Sequence, residues 1–222
     1  MSRWRLLICL VLLPLSAAAE EAQVPGTVGR LDLAARLYSL GLATDDALVV
    51  VAAVRLADAV ALRGDAGWTR TTVAADTAAP GPAAPAAGPA AMAVLSAEAR
   101  QAALLMAEGD DALTEIAEDA FAETARPRFG GANSAAGRLA AGQQDVWQIA
   151  FAGQQRAEIG VFGDGTGGLG WRVANAAGVP VCQGTSVSAP LFCTFTPAEN
   201  AWYRVTVRSA ADTGTGYLLI TN

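Results

Sequence analysis

The sequence predicts an α+β chain in two segregated parts, N-terminal helical hairpins followed by a C-terminal antiparallel β-sandwich. Three observations carry this prediction. Between residues 30 and 125, apolar residues recur at helical spacing. From Ala135 onward they alternate at period two between short Gly-, Asn- and Asp-bearing turns. The texture changes near residue 130, so the parts read as residues 20–126 and 130–222.

The first segment lies outside both parts. Met1-Ser2-Arg3-Trp4-Arg5 is basic, Leu6 to Leu15 is apolar, and Ala17 and Ala19 are spaced as an A-x-A cleavage site before Glu20. That order is a signal peptide over residues 1–19, and its apolar run is too short for an anchor. Cys9 sits inside that run, away from the position of a lipid-anchor cysteine. The later stretch from Leu48 to Leu62 is interrupted by Arg55 and Asp58, so no transmembrane segment is expected after cleavage. The mature chain is read as a bacterial periplasmic or secreted protein.

In the helical part, Leu33, Leu37 and Leu40 mark one helix face, and Gly41 is read as its stop. Thr44 is placed to cap a second helix that opens on Asp45-Asp46 and runs through Leu48, Val51, Val54, Leu56 and Val60 to Gly64. Ser96 is placed to cap a third helix through Leu104, Leu105 and Met106. Gly109 breaks it, and Asp110-Asp111 opens a fourth through Leu113, Ile116 and Phe121. Asp45-Asp46-Ala47-Leu48 and Asp110-Asp111-Ala112-Leu113 match letter for letter, which reads as an imperfect hairpin repeat that stacks to bury its leucines. Between the pairs, residues 71–91 carry Pro80, Pro82, Pro85 and Pro89 in an Ala-rich context, read as a disordered spacer loop.

The β part divides into seven strands. Their alternating residues are Trp147, Ile149 and Phe151; Ala157, Ile159 and Val161; Leu169, Trp171 and Val173; 179–183; Leu191, Cys193 and Phe195; Tyr203, Val205 and Val207; and Tyr217, Leu219 and Thr221. An eighth strand is placed at 137–140. Cys182 and Cys193 are the two cysteines left after cleavage, and in an exported chain an even pair reads as a disulfide.

Gly137-Arg138-Leu139, Gly142, Asp145-Val146-Trp147, the Gly163–Gly168 turn, Asn175-Ala176-Ala177-Gly178, Trp202-Tyr203-Arg204-Val205 and Tyr217-Leu218-Leu219 follow one another in an order that resembles the bacterial pre-peptidase C-terminal domain. The resemblance covers roughly residues 130–222. It implies a jelly-roll-like β-sandwich, a non-catalytic appendage of secreted proteins. Members often carry Asp-Leu-Asp-Leu after the glycine turn. Here Gly168-Leu169-Gly170-Trp171 stands there, without the acids that would support a calcium or polar-ligand role. The helical part resembles no named family.

Composition narrows the chemistry. All 15 basic residues are arginine, and histidine is absent. Histidine-dependent triads, histidine-ligated catalytic zinc and lysine Schiff bases are therefore excluded within this chain. The formal net charge is −6, and removing residues 1–19 takes away two arginines and makes it −8. Such a chain is repelled by phosphate backbones, so nucleic acid is not an expected partner. Gly163-Asp164-Gly165-Thr166-Gly167-Gly168 satisfies G-x-G-x-x-G, but a strand pattern follows where a dinucleotide loop needs a helix, so it is read as a hairpin turn. Asp212-Thr213-Gly214-Thr215 has no second copy and reads as a turn as well.

No catalytic residue, metal site or cofactor is expected. Trp147 and Trp171 are in phase with core residues, whereas Trp202 is out of phase with Tyr203, Val205 and Val207. Trp202, Arg204 and Arg208 then share one strand face and form the candidate binding patch. The expected function is a monomeric, non-enzymatic exported binding or accessory protein, with an envelope protein or glycan as partner. The alternatives are a carboxylate-dependent hydrolase of envelope polysaccharide, using Asp145, Glu158 or Asp164, and a purely structural envelope protein.

Overall fold

A computed structural model describes residues 24–64, 67–75, 90–122, 131–210 and 214–222. The expected signal peptide at 1–19, residues 76–89 of the expected loop, and Asp212 and Thr213 lie outside the described residues. The architecture is α+β. Four helices from the N-terminal half cover one face of a two-sheet sandwich.

The helices are α1 (Thr27–Thr44), α2 (Ala47–Asp58), α3 (Ala97–Ala107) and α4 (Asp111–Ala122). The expected leucine face of α1 is corrected. Leu33 and Leu40 are 40 % and 52 % exposed, and the buried face is Val28, Leu31, Ala34, Ala35, Tyr38 and Gly41. Alanine and glycine share this face with Val28, Leu31 and Tyr38, and the small residues let the helices approach closely. A Cβ on Gly41 would lie 2.6 Å from Val50 Cγ2 of α2. Gly41 therefore stays inside α1 and does not end it. The helix ends at Asp45, whose φ of 55° is left-handed.

The cap of α2 lies two residues beyond the expected one. Asp46, not Thr44, caps α2 by accepting from Val49 N at 3.1 Å. The Thr44 hydroxyl instead donates back to Leu40 O. In the second hairpin Gly109 takes the left-handed turn (φ 93°), and Asp110 accepts from the amides of Ala112 and Leu113. The repeated structural unit is thus a left-handed residue followed by a capping aspartate. It aligns Asp45-Asp46 with Gly109-Asp110, one step away from the letter match.

The strands are β1 (Leu62–Gly64), β2 (Thr69–Ala74), β3 (Ala132–Leu139), β4 (Gln143–Phe151), β5 (Ala157–Gly163), β6 (Leu169–Ala174), β7 (Pro180–Ser186), β8 (Leu191–Phe195), β9 (Ala201–Ser209) and β10 (Thr215–Thr221). One sheet is ordered β1-β3-β10-β5-β8 and the other β2-β4-β9-β6-β7. All pairs are antiparallel except β1 with β3. Counted from β3, the eight later strands follow the orders 1-8-3-6 and 2-7-4-5, which is a jelly roll. All seven strands read from alternation are present, and the eighth is β3.

The sequence-based boundary between the two parts is corrected at residues 62–74. β1 and β2 come from the helical half and extend one sheet each, so Thr71 to Ala74 belong to a strand and not to a loop. The physical reason is Asp145 on β4, which is fully buried between the sheets. A buried carboxylate needs a counter-ion and donors. β2 supplies both, through Arg70 at 2.9 Å and the Thr72 hydroxyl at 2.5 Å. Tyr217 of the opposite sheet donates to the second carboxylate oxygen, and Trp147 Nε1 donates to the Tyr217 hydroxyl at 2.8 Å. Burial first, and then the hydrogen bond to Asp145, push the Tyr217 hydroxyl pKa up, so the phenol stays a donor.

β5 shows how the layers stack. Ala157, Ile159 and Val161 face the other sheet, while Glu158, Gly160 and Phe162 face the helices, and the whole strand is buried. Glu158 accepts from the amides of Gly26, Val28 and Gly29 at 3.0–3.2 Å and pairs with Arg156 at 3.0 Å. The N-cap of α1, Gly26, has no capping side chain, and the carboxylate of β5 does that work.

Cys182 of β7 and Cys193 of β8 form a disulfide, with Cα atoms 6.3 Å apart. Their strands belong to different sheets, so the bridge closes the edge of the sandwich.

These contacts set the stability expected of three variants. Glu158→Ala should cost about 3 kcal/mol, because it leaves buried amides unpaired. Gly26→Ser, ordinarily a better N-cap, should also destabilise, because a Cβ at Gly26 would collide with the Glu158 carboxylate. Urea denaturation of each variant measures both effects, and a stabilised Gly26→Ser would refute the packing. Replacing both Cys182 and Cys193 with alanine should cost about 3 kcal/mol for a sequence separation of 11. The same denaturation assay, run with and without reductant on the parent, reads that loss.

Candidate functional site

Among the described residues, no helix packs on the outer face of the β2-β4-β9-β6-β7 sheet. Cross-strand register arranges its outward side chains in rows. Gln144 of β4 pairs with Arg208 of β9, which pairs with Gly170 of β6. One row along, Thr71, Val146, Thr206, Arg172 and Gln183 cross all five strands. The next row holds Thr69, Gln148, Arg204 and Ala174, and then Ala150 pairs with Trp202.

These rows floor a groove of about 930 Å³, lined by Thr71, Gln144, Gln148, Arg172, Gln183, Arg204 and Arg208 among others. Among the described residues that line it, none is acidic. Arg172 donates to Gly178 O at 3.0 Å, which fixes its guanidinium over the β6–β7 turn. That turn is closed by Asn175, whose side chain accepts from Val179 N at 2.9 Å. Arg208 lies against β6, where Gly170 leaves it room. A Cβ there would meet Arg208 Nε at 2.5 Å.

The structure places all three residues of the candidate patch on this outer face. Arg204 and Arg208 line the groove. Trp202 is 57 % exposed and borders an adjoining depression with Ala152 and Asn200. Arg172, Gln144, Gln148 and Gln183 were missed by sequence reasoning. Their signal was available, since each is the polar member of an alternating strand. What the sequence lacks is the strand order that brings them together. Trp147 and Trp171 are core residues, at 5 % and 6 % exposure.

The three carboxylates considered for hydrolysis sit in three separate surroundings. Asp145 is enclosed between the sheets, and Glu158 is enclosed under α1. Asp164 stands in the turn after β5, which crosses from one sheet to the other; the expected hairpin is thus corrected, because β5 and β6 do not pair. Asp164 accepts from Gly216 N at 2.7 Å, from the amide and hydroxyl of Thr166, and from the Thr215 hydroxyl. Burial tends to raise its pKa, and these hydrogen bonds outweigh burial and hold it below the ordinary carboxylate value. No two of the three face each other across a cleft. Among the described residues, no group of three or more His, Cys, Asp or Glu side chains is placed to hold a metal ion. No described helix is long and apolar enough to cross a membrane.

No family model and no curated protein matches the chain. Solved structures with some likeness include the pre-peptidase C-terminal domain of a collagenase from Bacillus anthracis, at 18 % identity and a TM-score of 0.36, covering 40 % of this chain and 87 % of that one. A carbohydrate-binding module, CBM36, in complex with calcium and xylotriose is 13 % identical, with a TM-score of 0.27 over 40 % of this chain and 87 % of that one. The lectin domain of lectinolysin complexed with Lewis B antigen is 14 % identical, with a TM-score of 0.27 over 39 % and 70 %. The jelly roll of this chain is defined by its own strand order.

Asp164 yields a pH prediction. Its folded pKa lies below its unfolded value, so its contribution to stability is present above about pH 4. That contribution is lost as pH falls through the folded value. Asp164→Asn should therefore flatten the fall in stability below pH 4, as read from denaturation midpoints between pH 2 and 7. An unchanged acid limb would refute it.

Proposed function

We propose that this chain is an exported, non-enzymatic binding protein, and that a glycan strand lies along the groove on its open sheet. One observation carries the reading: every other large face of the sandwich is occupied. The inner faces pack on each other, and helices cover the outside of the β1-β3-β10-β5-β8 sheet. The remaining face is grooved, and its lining mixes Arg, Gln and Thr side chains with Val146, Ala174 and Trp171. Its amides and hydroxyls offer both donors and acceptors, which suits a ligand made largely of hydroxyl groups. Trp202 at the end of the array offers a flat ring for stacking on a sugar. Export is supported by the order of residues 1–19 and by the disulfide. The residue pattern of 130–222 supports a sandwich of the pre-peptidase C-terminal type. A protein partner on the helical layer is the second reading, favoured by exposed Leu33, Leu40 and Leu48.

The test is a polysaccharide binding screen of the purified protein alongside two variants. Thr206→Trp fills the groove centre without changing charge and should abolish binding. Trp202→Ala should weaken it about tenfold. No binding to any glycan, or binding indifferent to Thr206→Trp, would sink the reading.

A further inference from the structure

We propose that this chain pairs with a second copy of itself through the outer edge of β2, in an antiparallel strand pair centred on Thr72. The proposal concerns assembly, in place of the monomer expected from sequence, and stands or falls independently of the glycan reading.

The sandwich has four edge strands, β1 and β8 in one sheet and β2 and β7 in the other. Edge strands present unpaired backbone groups, and proteins usually blunt them. β7 and β8 are tied together by the Cys182–Cys193 bridge, and β7 also opens on Pro180 and shifts register against β6. β1 is three residues long. β2 has six residues, all exposed, in unbroken register with β4 and without proline or glycine. Its sequence, Thr-Arg-Thr-Thr-Val-Ala, is rich in β-branched residues. Its one charge, Arg70, is paired with Asp145 and does not guard the edge. Among the described residues, β4 is the strand that β2 pairs with.

The ladder shows which backbone groups face out. Ala75 N donates to Gly142 O at 2.7 Å, continuing the β2–β4 register by one step. Hydrogen-bonded and non-hydrogen-bonded pairs alternate along an antiparallel ladder. Thr69, Thr71 and Val73 therefore bond to β4, and the N–H and C=O groups of Arg70, Thr72 and Ala74 point away from it.

Those three positions are self-complementary. Setting Thr72 opposite the partner's Thr72 puts Arg70 opposite the partner's Ala74, and Ala74 opposite the partner's Arg70. Each of these pairs then exchanges two hydrogen bonds, and no like charges stand opposite one another. On the outer face Val73, 41 % exposed, meets the partner's Thr71 at a non-hydrogen-bonded pair, where side chains come closest. A two-fold axis through Thr72 engages each copy's edge once and closes the assembly. β2 is also fixed in advance, because Arg70 and Thr72 anchor it to Asp145, so pairing orders little that is not already ordered. Paired residues share a face of the sheet, so the two grooves come to lie on one side, with Thr71 of each lining at the seam.

The experiment is sedimentation velocity of the purified protein from about 2 to about 200 µM, the range that a small interface calls for. The parent should pass from monomer to dimer across it. Ala74→Pro removes an outward N–H from each copy and spares the bonds to β4. Val73→Lys sets a charge at the seam. Each should raise the dissociation constant about tenfold or more, with the circular dichroism of the parent retained. Under mild oxidation, an equal mixture of Thr71→Cys and Val73→Cys proteins should cross-link about fivefold more than either alone, because the two positions face each other only between copies. A monomer at every concentration would overturn the proposal and leave the edge to a strand of another protein. A dimer untouched by both Ala74→Pro and Val73→Lys would overturn it too, as would equal cross-linking in all three samples.

Discussion

The attachment of the helices to the sandwich depends on one carboxylate. Glu158 sits on the outer side of β5, where strand alternation alone would leave it in water. Covering it with α1 removes that water, so the charge must find donors inside the protein. Meanwhile α1 starts at a glycine, with its first amides uncapped. Each feature meets the need of the other. The amides of Gly26, Val28 and Gly29 converge on Glu158, and the positive end of α1 faces a negative charge. Once α1 is fixed there, the contact of Gly41 with Val50 sets α2, and α2 in turn packs against α3 and α4.

Asp145 poses the same problem on the other side of the core, and the N-terminal half answers it again. Arg70 and Thr72 reach Asp145 from β2, and Arg70 also lies 5.4 Å over the Trp147 ring. Both fully buried acids of the sandwich are therefore partnered by residues that precede position 75. Arg156 and Tyr217 would remain as partners within the C-terminal part. They would not satisfy every oxygen that the N-terminal amides, Arg70 and Thr72 now satisfy. The two parts differ in texture but share their electrostatics.

This explains what was legible in the sequence. The strands of the jelly roll announced themselves, because each has one face in the inter-sheet core and shows period two. Trp202 stood out because it breaks phase with Tyr203 and Val205. The helical face was misread because Leu33 and Leu40 suggested it, whereas the buried side pairs Val28, Leu31 and Tyr38 with alanines and Gly41. β2 was missed because Thr69 to Ala74 is exposed at every position and buries nothing by itself. Its β-branched run, Thr71-Thr72-Val73, was a signal, but its reason to pair is a buried acid more than 70 residues away. Arg172 and the three glutamines belong to the groove only through strand order, which alternation does not encode.

The same constraints make the open sheet the place where function can reside. A sandwich of two sheets has four faces. Two are joined in the core, and a third is bound to the helices through Glu158 and cannot be uncovered without exposing that network. The fourth faces outward, edged by a disulfide-tied strand, with β2 clamped to its other edge by Asp145. Both edges are thereby fixed, so the rows of Arg, Gln and Thr between them keep their register.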